Sequence, residues 1–162
     1  LKKQSVNFLE TLFTPYVVVN PLWQAFYDSL HASRETFARL DVNRGLMSML
    51  GHMCNMEKRF KRDQNMKQAA TLLWLEDFVY RYATDEPYEH VLFNPNQKEF
   101  LRSMRAGEVP LELTENLVAD AMANAREFVE NAPKFEVNKE GLEWLDTMQV
   151  MAMDEYFRRR FN

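Results

Sequence analysis

The sequence predicts an all-α protein: a helical bundle of about six or seven helices, with one short strand near the N-terminus. Two observations predict this class. Apolar residues recur three and four positions apart along most of the chain, which is the period of an amphipathic helix. Only Tyr16–Val19 has the β-branched character of a strand, and Asn20 and Pro21 end it. Because a lone strand is not stable in water, we expect this segment to pair with something outside the chain or to be extended.

The first part of the chain divides at prolines and at capping residues. Pro15 ends the first helix, Pro21 suits the first turn of the second, and Ser33 can cap the third. Since the helical pattern already begins at Leu1, the chain is expected to open inside a helix, as a fragment would. The expected helices are Leu1–Phe13, Pro21 to Leu30 with Leu22 facing inward, Ser33 to Leu40, and Asp41 or Asn43 to beyond Cys54.

The second part begins with a charged segment, Glu57–Asp63, which either continues the helix or breaks it near Gln64. The next helix runs to about Tyr82, and a loop between Pro87 and Pro95 follows. Three further helices are expected: from a cap at Asn96 to Gly107, from Thr114 to Asn131, and from Asn138 to Arg160 with Phe157 in the core.

Composition narrows the class of protein. The chain has 162 residues, 46% of them hydrophobic, which suits one domain with a core. Its net charge of −4 argues against a general nucleic-acid or membrane-surface binder. The single cysteine rules out an internal disulfide framework and, with ten methionines, fits a reducing, cytoplasmic setting. No apolar run reaches the ~20 residues that span a bilayer.

Most catalytic constellations are absent from the sequence. The four glycines cannot build a phosphate-cradling loop, and no histidine has a second ligand at a zinc-like spacing. Cys54 lies on the apolar side of its helix, which is typical of a structural thiol. Arg81 and His90 are too far apart in sequence for the acid–base pair of a helical ribonuclease. The adjacent carboxylate pairs are typical of solvated helix faces.

One cluster of cations stands out in this acidic chain. A patch of this kind can hold a triphosphate or the phosphates of a nucleic acid. The alternative is a solvated charged turn, balanced by Glu57 and Asp63. Both interpretations stay open from the residues alone. The cations are Lys58, Arg59, Lys61, Arg62 and Lys67.

Three segments, in this order, carry a resemblance to a known family. They are Asn7–Pro15, with an N-x-L-E-x-L-F character, Met66–Leu73, which is similar to a K-x-A-x-H-L helix, and Glu99–Glu108, which is similar to an E-x-L-x-x-I-R-x-G-E helix. The chain resembles the C-terminal part of predicted nucleotidyltransferases of the DNA polymerase beta superfamily, found in bacteria and phages. It departs from the pattern at Thr71, where the family has His, and at Trp74, where it has Arg.

The resemblance implies a division of labour between this chain and residues N-terminal to it. Residues 1–20 would be the tail of the catalytic fold, and residues 21–162 its helical C-terminal domain. The metal-binding carboxylates would precede Leu1, so Mg²⁺ would be held outside this chain, which alone would be inactive. The partners implied are an NTP, an unknown acceptor that could be a nucleic acid, and the upstream catalytic domain, but no membrane. Lys67 is the first candidate for a phosphate contact, followed by Arg59, Arg62 and Lys58.

The alternative function is a non-catalytic helical interaction module, for example a phage or plasmid regulatory protein. Methionine-rich apolar faces suit adaptable protein binding, although they are also typical of cores. The methionines concerned are Met47, Met49, Met53 and Met56.

Overall fold

In a computed structural model, residues 1–15 and 17–161 are described, apart from the side chain of Phe161. The regular structure in these residues is entirely helical, which confirms the all-α class. Single 3₁₀ turns cover Glu10–Phe13 and Pro21–Trp23. The α-helices are α1 (Val6–Leu9), α2 (Gln24–Ala32), α3 (Arg34–Ala38), α4 (Val42–Asp63), α5 (Met66–Tyr82), α6 (Tyr88–Val91), α7 (Lys98–Ala106), α8 (Leu111–Asn131) and α9 (Lys139–Phe161).

The predicted strand is wrong. Val17–Val19 has no regular structure, Val18 is fully exposed at 102%, and Tyr16 lies outside the described residues. A strand needs a partner for its backbone groups, and no strand exists among the described residues to provide one. The predicted count of six or seven helices is also wrong, because the described residues form nine. The loop between Pro87 and Pro95 contains the short α6, which periodicity could not reveal in so few residues.

The first predicted helix is shorter than expected because its start is taken up by a turn. Gln4 has a left-handed φ of 49°, which interrupts any helix before Ser5. Its side chain is buried, and its Nε2 donates to the carbonyl oxygens of Leu1 at 2.9 Å and Phe37 at 3.0 Å. These bonds satisfy the buried amide and leave α1 to begin at Val6.

The chain divides into two compact units. We call Leu1–Val42 with Phe135–Asn162 the terminal unit, and Asn43–Lys134 the central unit. The predicted boundary at residue 20 falls inside the terminal unit, and the assignment of residues 1–20 to a catalytic fold stays a prediction.

In the terminal unit, α9 packs on the segment around α3. The rings of Phe37 and Trp144 stack with centroids 4.7 Å apart, and the backbone N–H of Asn138 donates to the carbonyl of Leu40 at 2.9 Å. Asn138 also caps α9 as predicted, since its side chain accepts from the N–H of Gly141 at 2.8 Å. Chain segments from the two ends of the sequence therefore form one core.

In the central unit, α5 lies at the middle of the core. It runs parallel to α8, because Glu76 bonds Asn124 and, one turn later, the ring of Tyr80 meets that of Phe128. Its last turns carry an aromatic cluster that Tyr88 of α6 completes. The buried residues of α5 are Ala69, Ala70, Leu72, Leu73, Leu75, Phe78, Val79 and Tyr82.

The structure confirms one predicted helix end and differs from the prediction at one helix start and at two core residues. Gly107 closes α7 with a left-handed φ of 78°, as expected. The start of α8 at Thr114 is wrong by three residues, since Pro110 precedes a helix that begins at Leu111. Leu22 and Phe157 were expected in the core and are instead exposed at 53% and 48%. Within the described residues, no helix has the length and apolar character needed to cross a membrane.

Candidate functional site

The predicted cations lie around the corner between α4 and α5. Gln64 adopts a left-handed φ of 48°, and its N–H donates to the carbonyl of Phe60 at 2.7 Å, which closes the end of α4. Asn65 then caps α5, since its side chain accepts from the N–H of Lys67 at 2.9 Å. The buried ring of Phe60 anchors this end of α4 in the core. The charged segment Glu57–Asp63 therefore continues α4, and the break lies directly after it, at Gln64 and Asn65.

The cations of α4 lie side by side on the exposed surface of the helix. Around the helix their order is Lys61, Lys58, Arg62 and Arg59, because each neighbour in this order is three or four residues away. Lys61 lies at the edge of this row and pairs with Glu57, one turn earlier. The members of the cluster thus differ in their ion pairs rather than in the side of the helix that they occupy.

Ion pairs distinguish two of the cations, Lys61 and Arg62, from the others. The Nζ of Lys61 lies 2.6 Å from Glu57, whose second oxygen lies 3.6 Å from Arg126 of α8. The guanidinium of Arg62 donates two hydrogen bonds of 2.7 Å to Asp63, and this bond lowers the pKa of the Asp63 carboxyl. Lys61 and Arg62 are locally neutralised. The pair of Arg62 and Asp63 is exposed and therefore weak, whereas the side chain of Glu57 is only 15% exposed.

The remaining cations keep their charge available to a ligand. In the part of the chain that the structure describes, no ion pair involves Lys58, Arg59 or Lys67, and all three side chains are exposed. Together they form what we call the basic corner. Arg62, the fourth predicted residue, is hydrogen-bonded to Asp63 and would have to release it to join the basic corner.

The pKa of the half-buried His52 depends in part on the charge of Arg59, a residue of the basic corner. It lies two turns before Arg59 on the same side of α4. Burial lowers the pKa of its imidazole below the ordinary 6.5, and the positive charge of Arg59 lowers it further. His52 is therefore neutral at pH 7. An anion bound at Arg59 would oppose this effect, which makes the imidazole a built-in reporter of anion binding.

Thr71 and Trp74, which differ from the pattern of the family that the sequence resembles, both donate hydrogen bonds to backbone carbonyls. The hydroxyl of Thr71 donates to the carbonyl of Lys67 at 2.8 Å, and the indole Nε1 of Trp74 donates to the carbonyl of Leu92 at 3.3 Å. Trp74 thus fixes the loop after α6. Arg105 and Glu108, near the end of α7, form no ion pair within the described residues.

Sequence reasoning missed a second polar cluster in the central unit, around Arg81. Its guanidinium donates to Glu86 at 2.5 and 3.0 Å, to Asp77 at 3.3 Å and to the carbonyl of His90 at 2.6 Å. Asp77 also accepts from Asn94 at 3.0 Å. The only available signal was the spacing of four between Asp77 and Arg81, which is common on helix surfaces. These bonds hold the loop from Glu86 to Asn94, so the arrangement is structural.

No cluster of three or more His, Cys, Asp or Glu side chains occurs among the described residues. The prediction that Mg²⁺ is held outside this chain stays a prediction.

A third feature lies in the terminal unit, between α2 and α9. An open apolar cavity of about 470 Å³ is lined by Phe26 and Leu30 of α2 and by Leu145 and Met148 of α9. The side of α9 away from this cavity carries exposed apolar residues as well. The sequence analysis predicted one buried apolar face on α9 and missed this second, exposed apolar side.

No family model, no curated protein and no solved structure matches this chain.

Proposed function

We propose that this chain is the helical, phosphate-binding part of a nucleotidyltransferase, in which the basic corner binds the phosphates of an NTP. One observation carries the proposal: Lys58, Arg59 and Lys67 are exposed and have no ion pair within the described residues, although carboxylates neutralise the other two cations of the cluster. The sequence resemblance supports the same interpretation independently. Mg²⁺ and the catalytic carboxylates would be supplied by residues N-terminal to Leu1.

The corner is suited to bind phosphate rather than to read a base. Lysine and arginine side chains at a helix corner offer several charged donors to phosphate oxygens. No aromatic ring is among the residues of the basic corner, so base stacking is not part of the site. We therefore expect the 162-residue chain to bind different NTPs, and inorganic triphosphate, with similar affinity.

Nuclear magnetic resonance tests this proposal, with His52 as the reporter. Triphosphate should raise the pKa of the His52 imidazole towards its ordinary 6.5, because the bound anion opposes the charge of Arg59. The substitutions Arg59→Gln and Lys67→Gln should each weaken binding about five-fold, which corresponds to the modest energy of one exposed charge pair.

Lys61→Gln is the matched control, because it removes the same charge from the same helix but from a position that is paired with Glu57. It should change the affinity less than two-fold. Equal losses in all three variants would indicate only a general effect of net charge. No change in the pKa of His52 at saturating triphosphate would refute binding at the basic corner.

The catalytic part of the proposal has its own test. The coding sequence that precedes Leu1 should specify a Gly-Ser turn followed by two aspartates, the metal-binding signature that the resemblance implies. A preceding sequence without such carboxylates would refute the enzyme but leave phosphate binding to be judged by the titration.

A specific observation favours the second candidate, a helical interaction module. The methionine-rich face of α4 does not support it, because Met49, Met53 and Met56 are buried and only Met47 is exposed. The apolar residues exposed on α9 do. This candidate predicts no thermal shift with NTP and Mg²⁺, whereas phosphate binding at the basic corner predicts a rise in melting temperature.

A further inference from the structure

Helix α9 has two apolar sides, one that is buried or half-buried in the terminal unit and one that is exposed. Its inward side is buried or half-buried at every third or fourth residue from Gly141 to Glu155. The opposite side carries Val150, Met153 and Phe157, which are exposed at 59%, 51% and 48%. Residues at this spacing form one stripe along a helix. A contiguous exposed apolar stripe of this kind marks an interaction surface.

Charged residues extend this stripe in both directions, acidic towards the start of α9 and basic towards its end. The complete set follows the alternating spacing of three and four that places residues at the a and d positions of a heptad. We call it the α9 seam: Glu143, Asp146, Val150, Met153, Phe157 and Arg160.

We propose that the α9 seam pairs with the α9 seam of a second copy of this chain, in the antiparallel direction. In one register, Val150 faces Met153 of the second copy, and the two-fold axis passes between these layers. The same register places Glu143 opposite Arg160 of the second copy, at both ends of the contact. Val150 and Met153 of the two copies then meet in the middle, Phe157 faces Asp146 in the next layer, and opposite charges meet at the edges.

The charge pattern decides the direction and the register. A parallel pairing would place Glu143 against Glu143 and Arg160 against Arg160, so that like charges oppose each other along the seam. Sliding the antiparallel pair by one heptad would place either Arg160 or Asp146 against Val150. The proposed register avoids like-charge contacts, keeps Val150 against Met153 and forms the Glu143–Arg160 pair at both ends, at the cost of one Asp146–Phe157 contact in each half. Because it is isologous, it closes at a dimer.

Both charged positions at the edges of the apolar core already contact residues of their own chain. Asp146 would face Phe157 of the second copy, and its carboxylate pairs with Lys2 of its own chain, which offsets part of its charge. Arg160 donates to the hydroxyl of Tyr156 at 2.5 Å and lies over its ring, beside the seam, and its guanidinium would turn from this ring to meet Glu143 of the second copy.

The first experiment measures whether the dimer exists. Sedimentation velocity of the 162-residue chain should show a monomer–dimer equilibrium in the micromolar range, as expected for an interface of one helix per copy. Met153→Asp should abolish the dimer. Met47→Asp, which changes an exposed methionine of α4, should leave it unchanged. A chain that stays monomeric up to about 300 µM, or equal effects of both substitutions, would overturn the proposal.

The second experiment tests the register through charge. Glu143→Arg and Arg160→Glu should each weaken the dimer about ten-fold or more, because each creates two like-charge contacts per dimer. The double variant should recover to within about three-fold of the original chain, since both pairs form again with their signs exchanged. Circular dichroism of each variant shows whether α9 is retained. A double variant as weak as the single variants would overturn the register.

Cross-linking tests the direction of the helices. In a Cys54→Ala background, a mixture of Glu143→Cys and Arg160→Cys chains should form the mixed disulfide dimer readily. Two copies of the Glu143→Cys chain should not cross-link within the dimer, because their cysteines would lie 17 residues apart along the contact, about 25 Å. Rapid cross-linking of Glu143→Cys alone would indicate a parallel pair and refute the proposal.

Discussion

The substitution Gly45→Ala gives the most direct test of packing in the central unit. A Cβ atom at Gly45 would lie 2.6 Å from both Cε1 and the hydroxyl oxygen of Tyr82, and 2.8 Å from its Cζ. Tyr82 is fully buried, and its ring stacks on Phe78 and meets Tyr88 edge-on, with centroids 5.9 Å apart in both pairs. Because neighbouring rings confine Tyr82, its ring cannot move away from the added methyl group. The methyl group must therefore displace helix α4 or the aromatic cluster.

The expected magnitude follows from two opposing terms. Replacing glycine by alanine inside a helix stabilises it by about 1 kcal/mol. Forcing a methyl group into a filled core costs about 1–3 kcal/mol. Gly51, in the same helix, is exposed, and a Cβ there meets nothing within 4 Å, so Gly51→Ala should show only the stabilising term. The difference between the two variants, about 1–3 kcal/mol, isolates the steric cost.

Urea unfolding followed by circular dichroism measures this difference. The fluorescence of Trp74 adds a probe from the central unit, once Trp23 and Trp144 are replaced by Phe in all the chains compared. We expect Gly51→Ala to raise the free energy of unfolding and Gly45→Ala to lower it. If both variants gain the same stability, the close packing of α4 against Tyr82 is refuted.

The remaining predictions concern a buried polar cluster, a helix cap and a titrating group. Arg81→Ala should lower the free energy of unfolding by about 2 kcal/mol, because it leaves half-buried acceptors unpaired. Arg102→Ala breaks an exposed pair and should lower this free energy by about 0.5 kcal/mol or less. Urea unfolding measures the free energy of unfolding of both variants. Gly107→Ala should cost about 1 kcal/mol by thermal unfolding, since the left-handed φ of 78° strains any residue with a Cβ and no neighbour lies close enough to add to the cost. For His52, the lowered pKa means that folding favours the neutral imidazole, so its contribution to stability is complete above the ordinary pKa of 6.5 and is lost as the pH falls through 6.5 towards the lowered value. A pH series of unfolding experiments, compared with His52→Gln, should show this loss below pH 6.5 only in the original chain.

Local signals predicted much of the helical structure. Gly107 closes α7 and Asn138 opens α9 as predicted, because capping depends on a few neighbouring backbone groups. The strand at Tyr16–Val19 could not be judged in the same way. Its β-branched residues have the right propensity, but a strand depends on a partner whose presence no local pattern reports.

The candidate site could be predicted only in part from the sequence, for a similar reason. The sequence places Lys58, Arg59, Arg62 and Lys67 near one another, but it does not show which charges are already neutralised. Lys61 pairs within its own helix, whereas the contact between Glu57 and Arg126 joins residues far apart in the chain. Such pairings depend on how α4 and α8 pack, and helical spacing alone cannot predict them.

The division of the chain also implies an order of folding. The central unit is one continuous stretch from Asn43 to Lys134, whereas the terminal unit needs residues from both ends of the sequence. Joining those ends closes a long loop, and a flexible loop of that length is entropically costly to close. The cost falls once the intervening stretch is compact. On a ribosome, helices α4 to α8 can therefore assemble as they emerge, whereas the terminal unit cannot form until α9 has been synthesised.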